Sequence, residues 1–188
     1  MAPGAFAGLK HLQSLGLGHN KLAGAATLDP ALFADLKRLE TLALNHNALT
    51  GPLDPALFAQ LHKLTLLNLD SNRLSGPLDR ALFVGLGSLS ELRLGLNQLE
   101  ELCAEQFAGA PNLVELHLND NRIAHIDPSA FKGLPNIRKI WLTNNRLTRI
   151  DPELLGELEQ LDFIGLGQNQ VGSVDRRRFS RRLTIVDT

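Results

Sequence analysis

The sequence predicts a solenoid of stacked repeats in which each repeat contributes one short β-strand, and two recurring patterns support this prediction. The first is a set of apolar residues followed by Asn, which fits the chain seven times at intervals of 24 to 27 residues, at Asn20, Asn47, Asn72, Asn97, Asn121, Asn145 and Asn169. The second is a Phe or Leu fourteen residues before each Asn, at Phe6, Phe33, Phe58, Phe83, Phe107, Phe131 and Leu155, with Phe179 beginning an eighth copy.

The strand of each repeat is predicted where aliphatic residues alternate with other residues just before the Asn. In the copy that ends at Asn145, Ile140 and Leu142 stand five and three residues before it. This alternation turns the aliphatic side chains to one face of a strand and the residues between them to the other. One repeat cannot bury its aliphatic face alone, but stacked repeats pair their strands about 4.8 Å apart and enclose a continuous core. The predicted strands are centred, in chain order, on Leu15, Leu42, Leu67, Leu92, Leu116, Ile140 and Ile164.

The remaining columns of the repeat predict what surrounds the strands. Where a strand bends away, its backbone N–H and C=O groups lose their partners, and a buried Asn amide can bond to both kinds of group. The Phe rings are expected to stack on the side opposite the strands. Asp-Pro pairs predict turns or the entries to helical turns, and they begin at Asp29, Asp54, Asp127 and Asp151. Cys103 replaces this Asp in one copy, and we expect a half-buried, unreactive thiol because no His, Lys or Arg adjoins it.

Over practically its whole length the chain resembles the leucine-rich repeat family, whose pattern is Leu-x-x-Leu-x-Leu-x-x-Asn-x-Leu. The 24-residue copies with a Phe column, such as the one containing Ile123–Phe131, are similar to the repeats of extracellular and Toll-like receptors. The segments Leu49–Leu53 and Leu74–Leu78 are closer to the plant type. The resemblance implies an α/β solenoid: a right-handed arc of about seven full repeats and a partial eighth, with a parallel β-sheet on the concave face and loops and short helical turns on the convex face.

The chain is predicted to form a single leucine-rich repeat domain over residues 1–188. It starts inside one repeat and stops inside another, and its one cysteine cannot form the cysteine-framed caps that are usual in extracellular members, so we expect a fragment without its caps. No signal peptide or membrane-spanning segment is visible. The similarity to extracellular repeats nevertheless favours a cell-surface or extracellular location, with the cytoplasm as the alternative.

Charge gives little reason to expect nucleic acid or membrane as a partner. The net charge is -1, so no electrostatic attraction of the whole molecule to either is expected, and we expect no membrane insertion. The basic run 176–182 is a local exception that could bind nucleic acid or an anionic membrane, and it also resembles a basophilic kinase site. We favour a simpler interpretation, in which this run is the solvated convex turn of the unfinished eighth repeat.

Partner-binding residues are expected at the outward positions, which lie six, four, two and one residues before each Asn. In the first two repeats these residues are mostly small, whereas later repeats carry charged and aromatic ones. Trp and Arg dominate binding hot spots, and Trp141 and Phe163 fall on adjacent strands. The alternative is that Trp141 only covers the sheet by packing on His117 and Phe163. The predicted binding residues are Arg93, Glu115, His117, Asp120, Lys139, Trp141, Thr143 and Phe163.

The sequence therefore predicts a non-enzymatic module that binds a protein or peptide on its concave sheet. No catalytic, cofactor or metal motif is present, and an open face lacks the enclosed pocket that would shift pKa values. His19, His46 and Asp70 are chemically suitable Zn²⁺ ligands, but only their proximity supports a site, so solvated polar residues are expected. Two other functions stay open. The repeats could be the regulatory or sensing region of a larger receptor or enzyme, or a structural surface protein that self-associates through uncapped solenoid ends.

Overall fold

A computed structural model describes residues 1, 4–24, 28–156, 158–172 and 183–186. It confirms the predicted solenoid, because each repeat contributes one three-residue strand to a continuous sheet. A separate two-stranded sheet, which the repeat pattern did not predict, is formed by β5 (Glu101–Leu102) and β7 (His125–Ile126). The strands of the main sheet are, in spatial order, β1 (Ser14–Gly16), β2 (Thr41–Ala43), β3 (Leu66–Asn68), β4 (Glu91–Arg93), β6 (Glu115–His117), β8 (Lys139–Trp141), β9 (Phe163–Gly165) and β10 (Thr184–Val186).

Every neighbouring pair in the main sheet is parallel and in register, so equivalent positions of successive repeats lie side by side. The central aliphatic residue of each strand points inward, and Leu67, Leu92 and Leu116 are fully buried. The first and third residues of the strands point outward and are mostly half-buried. We call the surface formed by these outward residues on β1–β4, β6, β8 and β9 the open sheet face.

The Phe column forms the other wall of the core, as predicted. The ring centroid of Phe107 lies 5.7 Å from that of Phe83 and 6.3 Å from that of Phe131. Phe6 and Phe33 stack in the same way at 6.5 Å, and all of these rings except Phe6 are buried. The core is thus a continuous layer between the inward Leu and Ile residues of the sheet and the stacked Phe rings. Phe179 lies outside the described residues.

The Asn column satisfies backbone groups in the way that the sequence predicted. The Oδ1 atom of Asn97 accepts a hydrogen bond from the N–H of Leu74 in the preceding repeat at 3.0 Å. Its Nδ2 group donates to the carbonyl of Leu69 in that repeat at 3.0 Å, and to those of Leu94 and Gly95 in its own bend, both at 3.1 Å. Asn47, Asn72, Asn121, Asn145 and Asn169 make the same bonds to their preceding repeats.

Short turns rather than long helices cross the side opposite the sheet. They include the 3-10 helices Pro30–Leu32 and Arg80–Phe83 and the α-helix α1 (Pro152–Gly156). The Asp residues of the Asp-Pro pairs cap these turns as predicted, since each accepts a hydrogen bond from the N–H two residues later, at 2.8 to 2.9 Å. In the described part of the chain, no helix has the length and apolar character needed to cross a membrane. The basic run 176–182 lies outside the described residues.

The strands are shorter than the sequence suggested. Two of the four columns that were expected on the strands therefore lie beyond the strand ends. Each strand ends four residues before the Asn, so the positions two and one before it lie in a bend. The residue immediately before each Asn has a left-handed backbone, with φ between 52° and 56°. These residues are His19, His46, Ser71, Leu96, Asp120, Asn144 and Gln168. Asp120 and Thr143 therefore border the open sheet face from the bends and do not project from the strands.

Candidate functional site

Three rings form a continuous row across β6, β8 and β9 on the open sheet face. The imidazole of His117 stacks on the indole of Trp141, with ring centroids 4.0 Å apart and ring planes 7° apart. The ring of Phe163 lies tilted on the other side of Trp141, with centroids 5.4 Å apart. We call His117, Trp141 and Phe163 the aromatic row. The row joins residues that are 22 to 24 positions apart in sequence. The strand register places His117 beside Trp141, whereas it pairs Phe163 with Lys139, so the Phe163 ring reaches Trp141 diagonally across β8 and β9.

Gly165 makes room for this row at its β9 end. A Cβ atom at Gly165 would lie 3.0 Å from the Thr143 hydroxyl and 3.4 Å from the Phe163 ring. The absence of a side chain there leaves space for the Phe163 ring and the Thr143 hydroxyl beside it. Thr143 therefore contributes to the shape of the site from its bend, where the sequence had placed it on the strand.

Charged side chains surround the aromatic row in pairs of opposite sign. Lys139 donates from Nζ to Glu115 Oε1 at 2.8 Å, and the same Nζ lies 5.9 Å from the centroid of the Trp141 ring. Arg93 donates from Nε to Glu91 Oε1 at 2.6 Å. Because these pairs are partly exposed, they hold the side chains in place more than they stabilise the fold. Glu91 was not among the predicted binding residues, although it shares the outward column of Glu115.

Burial shifts the pKa of two groups in this region. It lowers the pKa of His117, and the nearby Arg93 lowers it further, against the opposing effect of Glu91, Asp70 and Glu115. Burial also raises the pKa of Asp70, against the hydrogen bond from the Gly95 N–H and the positive charges nearby. The imidazole of His117 is consequently neutral at pH 7. Asp70 was considered only as a possible zinc ligand with His19 and His46 and was not among the predicted binding residues.

Asp120 is fixed at the edge of the open sheet face by two amides. Its Oδ1 accepts from Asn144 Nδ2 at 2.7 Å, and its Oδ2 accepts from Asn119 Nδ2 at 2.6 Å. Both of its oxygens are therefore engaged within the molecule. Of the eight predicted residues, six lie on β4, β6, β8 and β9, and Asp120 and Thr143 lie in the bends beside them.

The opposite end of the open sheet face carries little side-chain volume, as the sequence indicated. Gly16 and Ala43 occupy the third positions of β1 and β2. Beyond these strands the rings of His19 and His46 stack face to face, with centroids 4.2 Å apart. The grouping of these two His residues with Asp70 is not found: among the described residues, the ligand-type groups that come together in threes are Glu91, Glu115 and His117.

The Cys103 thiol lies away from this region and is half-buried, as expected. Burial raises its pKa, and the negative charges of Glu101 and Asp127 add to the effect. The thiol therefore stays protonated at neutral pH, which disfavours reaction as a nucleophile. This agrees with the prediction that Cys103 is a structural substitution.

Comparison with solved structures gives repeat proteins of the same fold. TLR13, in its complex with ssRNA13, is 28% identical to the chain with a TM-score of 0.64, and the match covers 86% of this chain and 26% of that one. A chain of the octameric complex of Latrophilin 3, Unc5D and FLRT2 (LRR) is 21% identical with a TM-score of 0.77, and the match covers 100% of this chain and 65% of that one. A leucine-rich repeat protein of Leptospira interrogans is 23% identical with a TM-score of 0.70, and the match covers 94% of this chain and 49% of that one.

The chain thus spans between about a quarter and two thirds of the length of these three proteins. No curated protein matches its sequence. The sequence profile described as "Leucine rich repeat" matches residues 25–74, 77–123 and 111–171, which is most of the chain. Together with the in-register parallel sheet and the Asn and Phe columns, this match shows that the chain belongs to the leucine-rich repeat family.

Proposed function

We propose that the chain is a non-enzymatic binding module that holds a segment of another protein, or a peptide, on its open sheet face. The observation that carries this proposal is the aromatic row, with Trp141 at its centre and charged residues around it. Trp141 is half-buried by its two ring neighbours and still partly accessible. Trp in a firmly packed position is a typical binding hot spot, since little entropy is lost when a partner covers it.

The distribution of side chains over the sheet supports one end of it as the docking surface. Residues able to make large or directed contacts lie on β4, β6, β8 and β9, whereas β1 and β2 present Ser14, Gly16, Thr41 and Ala43. A partner that follows the sheet would meet the aromatic row in its centre and Arg93 and Lys139 at its borders. Both cations are paired with Glu residues, so the surface offers donors and acceptors without a net charge of one sign.

Charge balance also favours protein over nucleic acid as the partner. Nucleic-acid surfaces depend on uncompensated Lys and Arg residues that contact phosphates, whereas the two cations of this surface are neutralised by Glu91 and Glu115. The solved TLR13 structure is a complex with ssRNA13, so single-stranded RNA is the natural competing ligand for the experiment. A role of this module as the sensing region of a larger receptor is consistent with the same surface.

A comparison of the wild type with Trp141→Ala tests the proposal. The residue projects away from the core, so the variant should keep the wild-type circular dichroism spectrum, while a hot-spot Trp contributes about 2 kcal/mol or more, which weakens binding about 30-fold. Quantitative affinity purification should enrich partners on the wild type that are lost on Trp141→Ala. Thr41→Ala is the control, because it truncates an outward residue of β2 on the same face.

Partners that bind equally to all three proteins would contradict the proposal, since they would use another surface. Single-stranded RNA is tested separately, by fluorescence anisotropy of a labelled oligonucleotide at low and high salt. We expect no saturable binding. Saturable RNA binding that weakens with salt and is lost in Trp141→Ala would replace the protein partner with an RNA partner.

A further inference from the structure

Three possible metal ligands meet on the open sheet face where β4 lies beside β6. Glu91 pairs with Glu115 in the sheet register, and Arg93 pairs with His117. One ligand atom from each of Glu91, Glu115 and His117 lies within 4.8 Å of the others. Since all three side chains leave the same face of two adjacent strands, the backbone itself brings them together.

The distances within this group suit a shared cation better than direct hydrogen bonds. His117 Nε2 lies 3.6 Å from Glu91 Oε1 and 3.8 Å from Glu115 Oε2, beyond the usual length of an N–H···O bond. Two atoms bound to one tetrahedral Zn²⁺, each by a bond of about 2.1 Å, lie about 3.4 Å apart. A small adjustment of the two carboxylates would therefore give all three atoms the spacing of a zinc site.

The surroundings of His117 Nε2 add to the argument from distances. Its Nε2 atom is inaccessible to solvent and has no hydrogen-bond partner among the residues that the structure describes. Buried polar atoms in native proteins nearly always have a partner, so this unpaired Nε2 is available to coordinate a cation. The stack on Trp141 fixes the plane of the imidazole and so the direction in which Nε2 points.

We propose that Glu91, Glu115 and His117 form a binding site for Zn²⁺. One imidazole and two carboxylates match the mixed nitrogen and oxygen ligands that Zn²⁺ takes, and three protein ligands leave one position for water. Ca²⁺ and Mg²⁺ fit less well, because they prefer oxygen ligands throughout. The proposal goes beyond the binding of a protein partner and does not rest on it.

Two neighbouring cationic side chains, Lys139 and Arg93, bind the carboxylates that the metal would use. Lys139 engages Glu115 Oε1 and leaves Oε2, the atom that faces His117, for the metal. Arg93 engages Glu91 Oε1, the same atom that lies nearest to His117. The guanidinium therefore competes with the metal for Glu91. Removing its charge should tighten the binding of Zn²⁺, whereas removing a ligand should weaken it.

Trp141 provides the measurement, because it is the only Trp of the chain and its ring stacks on His117. The purified chain is first stripped with a chelator and is then titrated with ZnCl₂ at pH 7 while Trp fluorescence is followed. A chromophoric zinc indicator is used in a second titration to measure the stoichiometry. We expect one equivalent of Zn²⁺ to bind and the fluorescence of Trp141 to change in step with it.

Three groups of variants decide the outcome. His117→Gln and Glu115→Gln should weaken binding of the single equivalent about tenfold or more, and Arg93→Gln should tighten it. His46→Gln should leave it unchanged, since it removes one ring of the stacked His19–His46 pair, the other place where Zn²⁺ could attach. Tighter binding by Arg93→Gln cannot result from misfolding, so this variant keeps the test valid if a ligand variant is unstable.

The proposal is overturned if the wild type binds no Zn²⁺, if His117→Gln retains it, or if His46→Gln abolishes it. It is also overturned if Arg93→Gln weakens binding. None of these results affects the proposed partner surface, because the titration contains only the chain and the metal. Retained partner binding in Trp141→Ala would contradict the proposed partner surface and would not bear on the zinc site.

Discussion

One Asn side chain in each repeat connects that repeat to the one before it. The amide of Asn97 accepts from a backbone N–H of the preceding repeat and donates to carbonyls on both sides of the junction. An Asp carboxylate could not donate these bonds, and a Gln amide would reach too far. The chemistry of the position therefore requires Asn, which explains why all seven repeats keep this residue.

Replacing Asn97 by Ala should lower the free energy of unfolding by about 2 kcal/mol or more, because buried N–H and C=O groups would lose their partners. Asn20→Ala is the matched control. Asn20 is exposed, and its amide bonds only to Leu17 and Gly18 in its own bend, so its loss should cost clearly less. Urea unfolding followed by circular dichroism measures both values. Equal losses would show that the bond between repeats adds no stability.

Asp70 gives a prediction about pH. Its pKa is raised in the folded state, so the ionised carboxylate destabilises the fold, and this cost is present at pH 7 and disappears as pH falls through the folded pKa, which lies above 3.8. Asp70→Asn keeps an oxygen that can accept from the Gly95 N–H. The variant should therefore have a higher melting temperature than the wild type at pH 7, and the difference should shrink on acidification.

Asp127→Asn serves as the control with the opposite sign. Hydrogen bonds from the Ser129 hydroxyl and N–H lower the pKa of Asp127, so its ionised form stabilises the fold above its unfolded pKa of 3.8. This variant should melt below the wild type at pH 7, and its deficit should also shrink as pH falls. A pH-independent difference for Asp70→Asn would exclude the ionisation of Asp70 as the cause.

At the level of structural elements, the bend after each strand imposes a left-handed backbone on the residue before the Asn. Apart from Gly, the residue types that tolerate this conformation best are Asn, Asp and His, and four of the seven residues at this position are of these types. Leu96 is the least suited member. Its φ is 53° and the residue is 53% exposed, so burial of its side chain does not offset the cost of the left-handed backbone.

Leu96→Asn should therefore raise the free energy of unfolding, by about 1 kcal/mol, because Asn enters the left-handed region at lower cost. Leu96→Ala is the control, since it removes the exposed side chain and keeps the Cβ atom that causes the strain. Chemical denaturation should show a gain for Asn and little change for Ala. A gain of the same size in both variants would trace the effect to the exposed apolar surface and not to the backbone.

Element boundaries show where prediction from sequence reaches its limit. The inward positions, the Asn bonds and the caps at Asp29, Asp54, Asp127 and Asp151 followed from residue type and spacing. The length of the strands did not, because the left-handed residue in the bend that follows each strand has no single residue type. Leu96 and Ser71 adopt the same φ as Asp120, so only the repeated geometry reveals the bend.

For the whole molecule, the repeat period was enough to predict the fold and which outward residues become neighbours. His117 lies beside Trp141 because both stand four residues before their Asn, whereas Phe163 shares the column of Lys139 and contacts Trp141 from the diagonal position on β9. The period could not predict side-chain rotamers. Glu91 turns towards both Arg93 and His117, and Asp70 is buried by a neighbouring repeat, and both features depend on packing between strands that the pattern does not encode.

The Asn bonds also give the stack a direction. Each amide reaches back to the repeat that precedes it, so every repeat is completed by the one that follows. Removing repeats from the C-terminal side would leave a bend with an unpaired N–H and C=O, whereas removing them from the N-terminal side would leave only an amide that, like Asn20, turns to its own bend. During synthesis, each added repeat supplies the amide that pairs the open backbone groups of the repeat before it. Removal of N-terminal repeats should therefore destabilise the chain less than removal of C-terminal repeats.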